Sequence, residues 1–254
     1  DQSSYQLAAD KNDLELFNMV ASKGVLLQSD GPAQKAIDFN NMALLKQTLT
    51  MGGSSSNALG YAVQKGNLQA INTCLELGGN PNLATAFAAN SNNTELFTRL
   101  IATYHANGTQ ALSQAIAANN LALAKVALEQ GGGNPDVDLK SQADQGKAEA
   151  VRMLVDHGGN PNLAMSGTIA ANKPDLLKYL IEKGASADNN DYVTKAAELG
   201  SLDLAKLLVD NGANPNSGMP IAVSKNNYAL TTYLLSAGAN VNGFMKAPAA
   251  AGNA

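Results

Sequence analysis

The stretch Ala196-Ala197-Glu198-Leu199-Gly200-Ser201-Leu202-Asp203-Leu204-Ala205-Lys206-Leu207-Leu208-Val209-Asp210-Asn211-Gly212-Ala213 decides the fold. Small residues run to a glycine, leucines then recur at i, i+3 and i+4, and a second glycine closes the run. That spacing is helical. The phrase predicts a short helix, a tight turn, an apolar-striped helix and a left-handed C-cap.

The phrase returns eight more times. Aligned on the residue between the helices, the nine copies read Asn12, Asn40, Gly66, Asn92, Asn119, Gly146, Asn172, Gly200 and Asn226. Asn and Gly enter the left-handed region at least cost, which a tight helix-to-helix turn requires. The steps between them are 28, 26, 26, 27, 27, 26, 28 and 26 residues, so nothing large is inserted. Twelve residues on come Gly24, Gly52, Gly78, Tyr104, Gly131, Gly158, Gly184, Gly212 and Gly238 as expected closing caps, with Asn107-Gly108 standing in at Tyr104.

Four residues after the turn the copies carry Leu16, Leu44, Ala70, Leu96, Leu123, Ala150, Leu176, Leu204 and Leu230. Four before it they carry Ala8, Ala36, Ala62, Ala88, Ala115, Gln142, Thr168, Ala196 and Ala222. Small first-helix residues let neighbours approach, and the leucines fill the space between repeats. A fixed period of this size specifies a solenoid. The expected fold is all-α, with nine helix-turn-helix repeats in one elongated, curved array over 1–246 and a disordered tail at 247–254. Gly243-Phe244-Met245-Lys246 is expected to cover the end of the last repeat.

The 254 residues are 45% hydrophobic, 15% charged and 5% aromatic, with no Trp and a net charge of −4. The absence of a basic run argues against a nucleic-acid footprint, and no apolar run approaches a membrane span. The lone Cys74 occupies a core position of its second helix and is expected to act as a small hydrophobe. The sparse charge, the surface rich in Asn, Gln and Ser and the start at Asp1 favour a periplasmic or secreted compartment, with the cytoplasm as the alternative.

No catalytic constellation emerges. His105 and His157 have no Cys, His or Asp cluster at ligand spacing. Asp188-Asn189-Asn190-Asp191 lacks the glycine and closing glutamate of a calcium loop. Gly52-Gly53-Ser54-Ser55-Ser56 lacks the Lys and the preceding strand of a phosphate loop. No Gly-x-Ser-x-Gly elbow occurs. No enzyme activity, cofactor or metal is expected. Asn-Pro-Asn or a near variant, at 80–82, 134–136, 160–162 and 214–216, reads as a structural turn.

Residues 196–216 and 146–162 (GKAEAVRMLVDHGGNPN) resemble ankyrin repeats, and the likeness extends over about residues 5–242. Two departures stand out. The Thr-Pro-Leu-His start of the first helix is replaced by Asp191-Tyr192-Val193-Thr194 in the clearest copy. The repeat is also about six residues short of the usual ~33, which trims the projecting hairpin finger to a turn.

The resemblance implies that the first helices line a binding groove, with the residues five and one before each turn pointing into it. Lys35, Phe39, Tyr61, Lys65 and Phe87 then form one cluster, and Lys195, Leu199, Ile221 and Lys225, with Tyr192 beside them, a second, with Gln114 between the two. Exposed apolar groups mark interfaces. Phe39, Tyr61 and Phe87 either face the groove or turn inward to pack between layers. Ser141, Gly167, Ala118 and Ala171 are expected to leave the middle of the groove shallow. The resemblance further implies a monomeric protein-binding array that sequesters or inhibits a partner protein. One such partner is a periplasmic cell-wall hydrolase or peptidase, inhibited for bacterial self-protection. The alternative is a scaffold or secreted effector that recruits without inhibiting.

Overall fold

A computed structural model describes residues 1–240. The expected cover at 243–246 and the expected tail at 247–254 lie outside the described residues. Every element is a helix, and no strand occurs among the described residues. Contact density divides the chain into two units, Asp1–Asn134 and the part from Pro135 on.

In the first unit, α1 (Gln2–Asp10) pairs with α2 (Leu14–Ala21), α3 (Gly31–Asp38) with α4 (Met42–Thr50) and α5 (Ser55–Lys65) with α6 (Leu68–Glu76). There α7 (Thr85–Asn90) also pairs with α8 (Thr94–Ala102), and α9 (Gly108–Ala117) with α10 (Leu121–Gly131). The second unit pairs α11 (Asp136–Asp144) with α12 (Ala148–Asp156) and α13 (Asn162–Ala170) with α14 (Pro174–Glu182). It ends with α15 (Asn190–Glu198) beside α16 (Leu202–Asp210), and α17 (Met219–Ser224) beside α18 (Tyr228–Ser236). Within each unit, first helices pack on first helices (α1 on α3, α3 on α5; α11 on α13, α13 on α15) and second on second (α2 on α4, α4 on α6; α14 on α16, α16 on α18). That layering is an all-α solenoid arrangement.

The turn register is as read from the sequence. All nine turn residues have positive φ, from +50° at Asn92 to +69° at Gly200. All nine residues four before the turn are buried, and so are those four after it except the half-buried Leu16. Thr168 is the costly member of this set. Its Oγ1 is buried without a hydrogen-bond partner, a position that the other copies fill mostly with alanine.

Two closing caps differ from expectation. Tyr104 does not close α8; His105 beside it takes the left-handed turn at φ +55°. Asn107 and Gly108 instead open α9, where the Asn107 side chain accepts from the Gln110 N–H at 2.9 Å. Gly131 stays helical, and Gly132 turns at φ +61°. The reason is steric: Gly108 and Gly131 meet backbone to backbone, leaving no room for a Cβ on either. Asp30, the N-cap residue of α3, makes no side-chain bond to that helix. Its carboxylate reaches forward to the Asn57 Nδ2 at 2.6 Å.

Asparagines tie neighbouring repeats together. Asn41, Asn67 and Asn120 each cap their own second helix through Oδ1, accepting from Leu44, Ala70 and Leu123 N–H. Each also donates Nδ2–H to the turn residue one repeat earlier: Asn12 at 2.8 Å, Asn40 at 3.0 Å and Asn92 at 2.7 Å. Where the earlier turn is Gly200, Asn227 donates to its carbonyl at 3.3 Å. Asn82, Asp136, Asn162 and Asn216 accept the N–H of Asn107, Asn160, Ser186 and Asn240, one loop onward. The recurring Asn-Pro-Asn is therefore a turn that also links loops. The connections between repeats are short turns, with 3-10 segments at Pro81–Leu83 and Pro215–Ser217.

Candidate binding surface

The first helices have a sharply two-sided burial pattern. Residues seven before the turn (Tyr5, Ala33, Leu59 and their counterparts) are buried in all nine copies. Residues two before it are exposed in all nine: Asp10, Asp38, Gln64, Asn90, Ala117, Asp144, Ala170, Glu198 and Ser224. The solvent face is thus centred two, six and nine before the turn, since those positions share one side of a 3.6-residue helix. The predicted positions, five and one before the turn, form its flank. Gly167 is a clear correction. It is buried where α13 crosses α11, and a Cβ there would stand 2.6 Å from the Asp144 backbone nitrogen.

In the first unit, Phe39 is 47% exposed, while Tyr61 and Phe87 are half-buried. None of the three belongs to the core, so the inward-packing alternative does not hold. Phe87 leans on the preceding turn, its Cε2 3.9 Å from where a Gly66 Cβ would sit. Tyr61 donates its hydroxyl to Asp38 Oδ1 at 2.8 Å, and Lys65 meets the same oxygen at 2.9 Å with its ammonium 5.0 Å from the Tyr61 ring centre. Hydrogen bonds from Lys65 and then Tyr61 hold the Asp38 carboxyl below the usual carboxylate range, and Asp38 in turn raises Lys65. Lys35 pairs with Asp10 at 3.6 Å. These are exposed ion pairs, worth at most about 1 kcal/mol each. Their effect is to pin the cations, so this flank presents aromatic surface. Gln114 is half-buried further along, on α9.

Beside Tyr61 lies a cleft of about 350 Å³, bounded by Gln34, Gly60, Gln64 and Leu83. Gly60 faces open space there. In the second unit a cleft of about 460 Å³ runs between α11, α13 and α15, with Ile169, Ala170 and Tyr192 inside and Asp144, Asp191 and Lys195 around it. Lys195 pairs with Glu198 at 2.9 Å. Leu199, at the end of α15, is 40% exposed, and Ile221 on α17 is half-buried. The structure thus places Tyr192 and Lys195 in one cleft. Asp144, Ser166, Ala170, Gly60 and Gln64 were missed by sequence reasoning. Their signal was available: no residue two before the turn is large and apolar.

Several titratable groups elsewhere are buried or bonded within the scaffold. Cys74 is fully buried, and burial pushes its thiol up to about 12. Tyr179 and Tyr233 donate across second helices to Asp156 at 2.8 Å and Asp210 at 2.7 Å. His157 Nδ1 lies 2.7 Å from the Met153 carbonyl. Among the described residues no three His, Cys, Asp or Glu side chains gather as a metal site, and no helix is long and apolar enough to cross a membrane. Comparison with known proteins finds no matching family model and no matching curated sequence.

Proposed function

We propose that the chain is a non-catalytic, ankyrin-type protein-binding array that sequesters or inhibits a partner protein. The observation that carries this reading is the first-helix face. Phe39, Leu83, Val137, Leu163 and Leu199 are all at least 38% exposed on first helices or at their ends, whereas the buried first-helix positions are filled mostly by small and aliphatic residues. Exposed large apolar groups on a scaffold tied by repeated asparagine bonds are what a recognition surface needs, since pre-organisation cuts the entropic cost of binding. The two-helix repeat with left-handed turns supports the ankyrin assignment, and the helix-only connections support recognition through helices in place of fingers.

Within this reading the partner is a periplasmic or secreted cell-wall hydrolase or peptidase, which a monomeric array would cap as a self-protection factor. The sparsely charged, amide-rich surface supports an exported setting. The test is affinity capture from source-organism extract, followed by titration of the captured protein's activity with the array. Suppression saturating at a one-to-one ratio is the expected result. A captured protein whose activity is untouched at saturation would replace inhibition with the scaffold reading. No protein captured above a denatured-bait control would overturn the binding reading itself.

A further inference from the structure

The second unit's cleft can be assigned an occupant. Its floor is apolar, made by Ile169 and Ala170 of α13 and the ring of Tyr192 on α15. Asp144 is laid over Gly167, with its Oδ1 2.5 Å from where a Cβ would be, so the missing side chain is what admits the carboxylate to the rim. About 460 Å³ is ample for one aromatic side chain with its backbone and too small for a folded element. The rim carries the carboxylates of Asp144 and Asp191 and one cation, Lys195. Asp144 is matched by Lys140 at 2.6 Å and Lys195 by Glu198 at 2.9 Å. Asp191 has no ion-pair partner among the described residues and is exposed. The rim therefore holds one unmatched negative charge, Asp191, above an apolar floor.

We infer that this cleft receives a partner's extended segment in which one aromatic side chain is flanked by lysine or arginine. The aromatic enters between Ile169, Ala170 and Tyr192, and a flanking cation meets Asp191. Rim charges of this kind set partner choice and on-rate more than raw affinity, and a buried aromatic anchor supplies the bulk of the binding. The inference rests on the protein-binding reading and adds the chemistry of what is bound.

The test uses the whole chain and three labelled peptides, acetyl-Gly-Ser-Lys-Phe-Lys-Ser-Gly-amide and its Glu-Phe-Glu and Lys-Ser-Lys counterparts. Affinity is read by fluorescence anisotropy, and the site by amide shifts of the 15N-labelled protein. The Lys-Phe-Lys peptide is expected to bind at least about tenfold tighter than either control, moving amides of 166–170 and 189–195. Ala170→Trp, at an exposed position, fills the cleft and should cost about tenfold; Asp191→Lys should cancel the preference for lysine over glutamate. Should Ala170→Trp fail to fold, the charge reversal carries the test alone. Equal affinity for the Lys and Glu peptides, shifts located elsewhere, or indifference to both substitutions overturns the assignment. A partner protein that is captured by Ala170→Trp as well as by the native chain also overturns it while leaving the protein-binding reading standing. Failure to capture any partner is instead a failure of that reading.

Discussion

Removing the side chain of Asn67 breaks two bonds of different kinds, and the repeat supplies its own control. The Oδ1 caps α6 by accepting from Ala70 N–H at 3.0 Å, while Nδ2 donates to Asn40 Oδ1 at 3.0 Å. Loss of an N-cap costs about 1 kcal/mol, and a solvent-exposed side-chain bond adds about 0.5–1 kcal/mol. Asn67→Ala should therefore cost about 1.5–2 kcal/mol. Asn93 makes the same cap to Leu96 N–H at 3.0 Å, but the turn one repeat earlier is Gly66, which has no side chain to receive it. Asn93→Ala should cost only the cap, about 1 kcal/mol. Urea unfolding of both variants gives the difference; at a slope near 2 kcal/mol per molar, Asn67→Ala moves the midpoint by about 0.75–1 M and Asn93→Ala by about 0.5 M. Asn40→Gly preserves the left-handed turn while deleting the acceptor, so the Asn40/Asn67 double-mutant cycle should return a coupling of about 0.5–1 kcal/mol. Equal losses for Asn67→Ala and Asn93→Ala, with zero coupling, would refute the idea that these asparagines join repeats.

Other consequences follow from the same packing. Gly167→Ala places a methyl 2.6 Å from the Asp144 nitrogen and should cost about 1–3 kcal/mol, whereas Gly60→Ala, opening on empty space, should be neutral or stabilising by up to about 1 kcal/mol; thermal midpoints compare them. Cys74, with its thiol pushed up to about 12 by burial, should resist a water-soluble thiol reagent at pH 8 in the native protein and react fully in denaturant. Asp38 is held below the ordinary carboxylate range by Lys65 and Tyr61. A lowered native value means that its stabilising contribution is present above the unfolded carboxylate range and is lost as pH falls through the folded value. Lys65→Met should return the Asp38 titration, followed by carboxyl NMR, toward the ordinary range.

How far the sequence could be read depended on whether a position answers to local chemistry. The nine turns were legible because only Asn and Gly enter the left-handed region cheaply, and all nine do so here. The exceptions arose from contacts between repeats. Gly131 looks like a cap but remains helical because Gly108 lies against it, and His105 closes α8 because the residues after it are taken up in starting α9. The same holds for the surface. Lys35, Phe39, Tyr61, Lys65 and Lys195 could be placed on the first-helix flank from spacing. The clefts could not, because they depend on how closely one helix approaches the next, as Gly167 over Asp144 illustrates. The second role of Asn41, Asn67 and Asn120 was hidden for a similar reason: a cap is local, and its free amide finds a partner 27 to 29 residues away.

A first-helix face that grips a protein partner is shielded when the partner binds, and side-chain footprinting of the complex reads that shielding. Hydroxyl-radical labelling of the captured complex, compared with the free chain, should show Phe39, Tyr61, Tyr192 and Leu199 protected. Tyr179 and Tyr233, on second helices, should label as they do in the free chain. Protection confined to the second helices, with Phe39 and Tyr192 labelled as in the free chain, would contradict a first-helix grip.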